Sequence, residues 1–347
     1  MNIRIKDICR FGKKSDIKAG EGNTKGKYMF FTSSIDKDKR IDKFDYDEEG
    51  IIMGTGGNAT LHYYSGKFAV STDCLVLLPN SSYKCKYLYY FFLHNMRVLE
   101  GGFRGAGLKH TSKSYIENIE LTKTHSLLEQ DKIISVLSNI DNTIVLQNKR
   151  LKLINELTRS LFIEMFGDPV ENPFMFEKQR LSKIGELERG VSKHRPRNAP
   201  ELLGGKYPLI QTGEISNSDL YINKFENTYS ELGLSQSKLW KKGTLCITIA
   251  ANIAKTGILT FDSCFPDSVV GFVPNKLTNN IFIHYWFSFF QKILEEEAPE
   301  SAQKNINLKV LSNLDVIVPP IELQNKFAAV VAQIDKSKYS SFSHLSA

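Results

Sequence analysis

Two loops concentrate the side chains that could do chemistry. In "FRGAGLKHTSK", Phe103 to Lys113, the residues Arg104, Lys109, His110 and Lys113 alternate with glycines. In "RGVSKHRPR", Arg189 to Arg197, the residues Lys193, His194, Arg195 and Arg197 crowd beside one glycine and one proline. Cationic side chains on a backbone that can approach closely are suited to holding an anion. Smaller clusters join them: Lys13 and Lys14 in "FGKKSDIK", Asn252 and Lys255 in "AANIAKTG", and Gln303, Lys304 and Asn305 in "ESAQKNINLK". The whole chain leans the same way, with 45 Lys and Arg against 38 Asp and Glu and a formal charge of +7. Such an excess agrees with a polyanionic partner.

Other chemistries lack their residues. Cys9, Cys74, Cys85, Cys246 and Cys264 are scattered with no Cys-x-x-Cys pair, so free buried thiols are expected rather than a zinc site or a disulfide framework. The seven His form no metal-spaced pair. A metal nuclease needs Pro-Asp followed by an acid-x-Lys triplet; "FPDS" at Phe265 has no such successor, and "DIK" at Asp16 no predecessor. "MGTGGN" could imitate a cofactor loop, but no strand-helix-strand unit surrounds it, and it reads as a tight turn.

The elements that position the basic loops come in two copies. At 347 residues and 41% hydrophobic, the chain accommodates two domains with real cores. No segment has secretory or membrane-spanning character, which predicts a cytosolic protein with no membrane partner. A shift of 194 lays Gln130, Lys132, Val136, Ile140 and Asp141 on Gln324, Lys326, Val330, Ile334 and Asp335. A shift of 195 lays "VSTDCLVLLPN" on "FPDSVVGFVPN", "YLYYFF" on "FIHYWF", and "SYIENIEL" on "KVLSNLDV". Nearer the start, "GKYMFFTSSI" meets "GKYPLIQTGEI" at a shift of 179, so the second copy carries about sixteen additional residues, expected in loops. Each copy reads as a mixed α/β domain of short strands, an aromatic helix and then a long helix.

The long helix is the clearest element. Alternate steps of four and three connect Ile133, Leu137, Ile140, Ile144, Gln147, Leu151, Ile154, Thr158, Leu161 and Met165, a pattern that indicates a coiled-coil seam. "GDPVENP" stops it and links the halves. The partner predicted for the seam is the second copy after Pro320, where Phe327, Val331 and Ile334 continue the stripe. An antiparallel pair of about 35 residues makes a rod of roughly 50 Å, longer than one DNA turn. Lys338 stands where Ile144 stood and "SSFSHLSA" follows, so the distal copy is expected to be truncated, leaving Leu151, Ile154, Leu161 and Met165 poorly covered.

This layout resembles the specificity subunit of type I restriction-modification systems. "LEQDKIISVLSNIDNTIVLQNKRLKLINELTRSLFIEMFGDP" is similar to that family's central conserved helix, "VPPIELQNKFAAVVAQIDKSK" to the start of its distal one, and "ITIAANIAKTGIL" with "CFPDSVVGFVP" to the core of a target-recognition domain. The resemblance implies recognition domains over residues 1–126 and 168–319, a central helix over 127–167 and a distal helix over 320–347. It implies a non-catalytic protein whose domains each read half of a split site in double-stranded DNA. Two methyltransferase subunits would dock on the helices and restriction subunits would join them. S-adenosylmethionine, Mg and ATP are then expected only on those partners. "ENPF" at Glu171 has one proline where an adenine methyltransferase motif needs two. Under the resemblance the clusters above become DNA contacts. "RGVSKHRPR" and, at its counterpart, Lys13 and Lys14 fall to phosphate, while "FRGAGLKHTSK" and "ESAQKNINLK", coincident under the repeat, fall to the grooves. The competing expectations are a single-chain DNA methyltransferase or restriction enzyme, and a truncated remnant specificity protein.

Overall fold

A computed structural model describes residues 3–121, 123–250, 252–297 and 306–340. They fall into two compact units, 1–148 and 149–347. In the first, six strands form one sheet: β1 (Cys9–Phe11), β2 (Tyr28–Phe31), β3 (Arg40–Ile41), β4 (Tyr46–Gly54), β5 (Thr60–Val70) and β6 (Cys74–Pro79), ordered β1-β6-β4-β5-β2-β3. The β4–β5 hairpin pairs antiparallel from Tyr46–Phe68 to Gly54–Thr60. It turns through "TGGNA", where Gly57 takes φ 82°, a conformation open to glycine at no steric cost. Helix α1 (Cys85–His94) buries Leu88 and Phe92 with Ile51, Met53 and Leu77 of the sheet. Each such side chain contributes about 1.5–3 kcal/mol by leaving water.

The second unit repeats this plan with an addition. β7 (Gly185–Arg189), β8 (Leu203–Leu209), β9 (Tyr221–Ile222), β10 (Asn227–Tyr229), β11 (Leu239–Trp240), β12 (Leu245–Thr248), β13 (Thr256–Leu259), β14 (Ser263–Cys264) and β15 (Val269–Pro274) form two sheets, β7-β15-β12-β13-β9 and β10-β8-β14-β11. The additional residues expected in loops are not all loop. Between β8 and β12 the chain folds into helices at Thr212–Ser216 and Glu231–Ser235 as well as short strands, the second helix capped by the Ser230 hydroxyl accepting from Gly233 N at 3.2 Å. Helix α3 (Asn280–Glu297) takes the place of α1.

The long helix α2 (Leu127–Phe166) starts at a capping box in which Ser126 N donates to Glu129 Oε2 at 2.7 Å. It stops at Gly167, with φ 72° and its N–H on Ile163 O at 2.8 Å. Its repeat is α4 (Ile321–Ser340). The repeated glutamines are the same latch twice. Gln130 donates from Nε2 to Ser82 O at 3.1 Å and His125 O at 2.9 Å, and accepts at Oε1 from Lys84 N at 2.8 Å. Gln324 donates to Leu277 O at 3.0 Å and Pro319 O at 2.8 Å, and accepts from Asn279 N at 3.3 Å and the Thr278 hydroxyl at 2.9 Å. Both are fully buried, each tying its helix to the start of the aromatic helix of its own unit.

Within the second unit α2 and α4 run antiparallel. Phe162 meets Phe327 edge-on at 5.5 Å, Lys338 Nζ reaches Asn155 Oδ1 at 3.0 Å, and Arg150 Nη2 reaches Ser337 O at 3.4 Å. Phe327 and Val331 are buried and Ile334 is half-buried. The expectation of an uncovered stretch is corrected: Leu151, Ile154, Leu161 and Met165 are half-buried, the last two against the core that holds Phe162 and Phe166. Antiparallel pairing puts α4 alongside this end of α2. The exposed seam residues lie in the first unit, where Ile133 and Leu137 are half-buried but Ile140 and Ile144 are 50% and 54% exposed. Lys338 does not simply interrupt the stripe. It is 8% exposed, with its ammonium on the Asp219 carboxylate.

Candidate nucleic-acid interface

In the second unit the strand register gathers three loops at one end of the five-stranded sheet. β7 ends with Arg189 opposite Val270, and β12 ends with Thr248 opposite Val269. Gly190 N then donates to Val269 O at 2.8 Å and Ile249 N to Ser268 O at 3.0 Å. The basic loop 190–198, the turn residues 249–250 and 252–255 and the segment 265–268 therefore leave the sheet together. Asn252 is exposed at φ 38°, and its carbonyl accepts from the Thr248 hydroxyl, so its backbone serves to close the turn. Lys255 is half-buried. Ile306 N donates to Ile249 O at 2.8 Å, which returns the chain to this turn; Gln303, Lys304 and Asn305 just before it lie outside the described residues.

The basic loop is ordered by its own contacts. Gln236 Oε1 accepts from Lys193 N at 2.8 Å and His194 N at 3.1 Å, and His194 Nε2 lies 3.8 Å from Glu201. Arg195 Nη2 and Arg197 Nη2 share the Asp267 carboxylate at 3.2 and 2.5 Å, and Arg189 Nε donates to the Asp267 carbonyl. One carboxylate between two guanidiniums leaves a net positive charge. Among the described residues the Lys193 ammonium has no ion pair, and the side chain is exposed.

The first unit repeats the arrangement at its hairpin turn. Arg104 and His110 exchange both backbone hydrogen bonds at 2.9 Å, Gly57 N donates to Lys109 O at 2.8 Å, and Thr111 N to Thr55 O at 3.0 Å. Arg104, Lys109 and His110 are thus held, exposed, on the turn of β4–β5. Lys113 departs from them: its ammonium lies 3.6 Å from Glu117 and over the ring of Phe11. Lys13 and Lys14 line a separate cavity of about 450 Å3 with Lys43, Asp45 and Tyr46. Lys43 and Asp267 were missed by sequence reasoning, because Lys43 meets Lys13 and Lys14 only in the folded cavity and Asp267 meets Arg195 across 72 residues.

All five cysteines are buried free thiols, and burial pushes Cys9 up to about 12 and Cys74 to about 11, out of the range of a nucleophile. Among the described residues no group of His, Cys, Asp and Glu could hold a metal, and no helix is long and apolar enough to cross a membrane.

Two units of one plan, each presenting a basic loop and a braced turn, match a known pair. The family model for the type I restriction modification DNA specificity domain matches residues 1–156 and again 175–341. The chain belongs to that family. Among relatives of the specificity family, the putative MjaX specificity subunit of Methanocaldococcus jannaschii is 24% identical over 76% of this chain, which spans 64% of that protein's length. The MjaVIII specificity subunit of the same organism is 23% identical over 96% of this chain and 85% of its own. The crystal structure of a type I restriction-modification S subunit from M. genitalium superposes with a TM-score of 0.69 at 17% identity, covering 100% of this chain and 92% of that one. A structure solved in work on complex assembly and conformational transition of the type I R-M system gives 0.53 at 16% identity, over 98% and 91%. At these identities the structural likeness shows the fold, and the family model carries the DNA-specificity assignment.

Proposed function

We propose that this chain is the sequence-reading, non-catalytic subunit of a type I restriction-modification complex, acting on double-stranded DNA in the cytosol. Each unit reads one half of a two-part site. The observation that carries this reading is the duplication: two copies of the DNA specificity domain, each with a loop braced on the turn of a central hairpin. Base reading falls to Arg104, Lys109 and His110 in the first unit and to Asn252 and Lys255 in the second, with Gln303, Lys304 and Asn305 added on the sequence repeat alone. Lys13, Lys14 and Lys193 face phosphate. Helices α2 and α4 dock two methyltransferase subunits, which hold S-adenosylmethionine, and restriction subunits join that core with their Mg and ATP. Exposed Leu153 and Leu157 on α2, at 54% and 61%, supply apolar surface for such docking.

Purified chain incubated with DNA and labelled S-adenosylmethionine should transfer no methyl group alone and should direct transfer once a methyltransferase subunit is added. Transfer by the lone chain would make it a single-chain enzyme, and no transfer with the partner would make it a remnant. Lys193→Ala should weaken DNA binding evenly across sequences and reduce the log-log salt slope by about 1. An unchanged slope would remove Lys193 from the phosphate path.

A further inference from the structure

Beside the arginine pair of the second unit lies a cavity of about 610 Å3, lined by Arg195, Arg197, Asn198, Gln211 and Asn227 among others. Its polar lining can hold a phosphate through its N–H donors but also offers acceptors that a phosphate leaves unused. Asp267 takes one nitrogen from each arginine and cancels one of their two charges. A guanidinium carries five N–H donors in a fixed plane; Arg195 spends Nη1 on Ser192 O and His194 O and Nη2 on Asp267, whereas Arg197 has Nη2 on Asp267 and its other donors left for a ligand. The two side chains remain 55% and 43% exposed. The amides of Asn198, Gln211 and Asn227 bring acceptors as well as donors, and acceptors do nothing for a phosphate, whose oxygens only accept. Base edges in the major groove present both, and Arg with Asn or Gln are the side chains that match guanine and adenine through paired hydrogen bonds.

We infer that this cleft reads base edges of duplex DNA in the second half-site. Arg197 makes the contact, and Asp267, itself held by Arg195, is a positioning residue that orients the Arg197 guanidinium. The inference rests on the DNA-specificity reading above and names the residues that do the reading in one unit. It also separates Arg197 from Lys193 in the same loop, whose uncommitted charge suits phosphate.

The full chain would be used to select from a pool of randomised duplexes, with sequencing of what is retained. The wild-type protein should enrich two separated sequence elements. Arg197→Lys keeps the charge and loses the planar fork, so it should lose roughly tenfold or more of the discrimination at positions within one element and leave the other intact. Asp267→Asn should relax the same element, and Gln211→Ala, an exposed side chain that leaves the arginine node in place, should alter it too. Unfolding midpoints of the three variants would identify any that fail to fold. Wild-type selectivity in folded Arg197→Lys and Gln211→Ala proteins, beside a two-part wild-type motif, would overturn the cleft as a reader while leaving the specificity reading standing. No enriched motif from the wild-type chain would overturn that reading and this inference together.

Discussion

Gln324→Ala is expected to lower the unfolding midpoint of the second unit by about 6–12 °C, with the corresponding Gln130→Ala acting on the first. The side chain satisfies two backbone carbonyls, one backbone N–H and one hydroxyl in a place water does not reach. Truncation leaves these without partners, and an unsatisfied buried group costs about 1–3 kcal/mol. Local relaxation recovers part of that, so a net loss of about 3 kcal/mol is expected, at roughly 2–4 °C per kcal/mol for a unit of this size. Gln324→Glu tells hydrogen bonding from packing. It fills the same volume but cannot donate to Leu277 O and Pro319 O, and it places a charge in a dry site. Calorimetry should therefore find it at least as unstable as the alanine variant. A stable Gln324→Glu protein would mean that the glutamine only fills space.

That glutamine shows what the sequence could and could not reveal. Its recurrence at a spacing of 194 was plain, as were the helix around it and the aromatic helix before it, because periodic apolar positions and repeated strings are local signals. Its role was not, since its partners at Leu277 and Thr278 lie 47 and 46 residues away. The seam was legible as a stripe but not in its depth: Phe162 and Phe166, each one place beyond a stepped position, are fully buried, as is Thr158 on the stripe, while Ile140 and Ile144 are exposed. Lys338 looked like the end of the stripe because its carboxylate partner, Asp219, is 119 residues distant. The basic loop is legible as charge, whereas Asp267, which organises its arginines, lies 72 residues from Arg195 and carries no local signal of that role.

The Lys338–Asp219 pair adjoins a histidine whose titration should be visible in the stability of the second unit. His284 shares its Nδ1 with the Thr256 hydroxyl at 2.9 Å. Burial holds its pKa down to about 4, with the Lys338 charge adding to the effect and Asp219 opposing it. In the unfolded chain an imidazole titrates near 6.5. Above pH 6.5 both states hold it neutral and nothing is lost. As pH falls from 6.5 towards 4 the unfolded chain takes up a proton that the folded one refuses, so stability declines through that window. The full difference corresponds to about 3 kcal/mol; because the residue is only half-buried by area, about 2 kcal/mol is expected between pH 7 and pH 4. Asp335 works in the opposite sense, since burial raises its pKa and its protonation favours the folded state as pH falls. The decisive measurement is therefore the difference between wild type and His284→Gln. Urea unfolding at pH 7 and at about pH 4.5 should show the variant losing less stability than the wild type on acidification, by about 1–2 kcal/mol. Equal losses in the two proteins would mean that His284 takes up its proton in the folded state as readily as in the unfolded one.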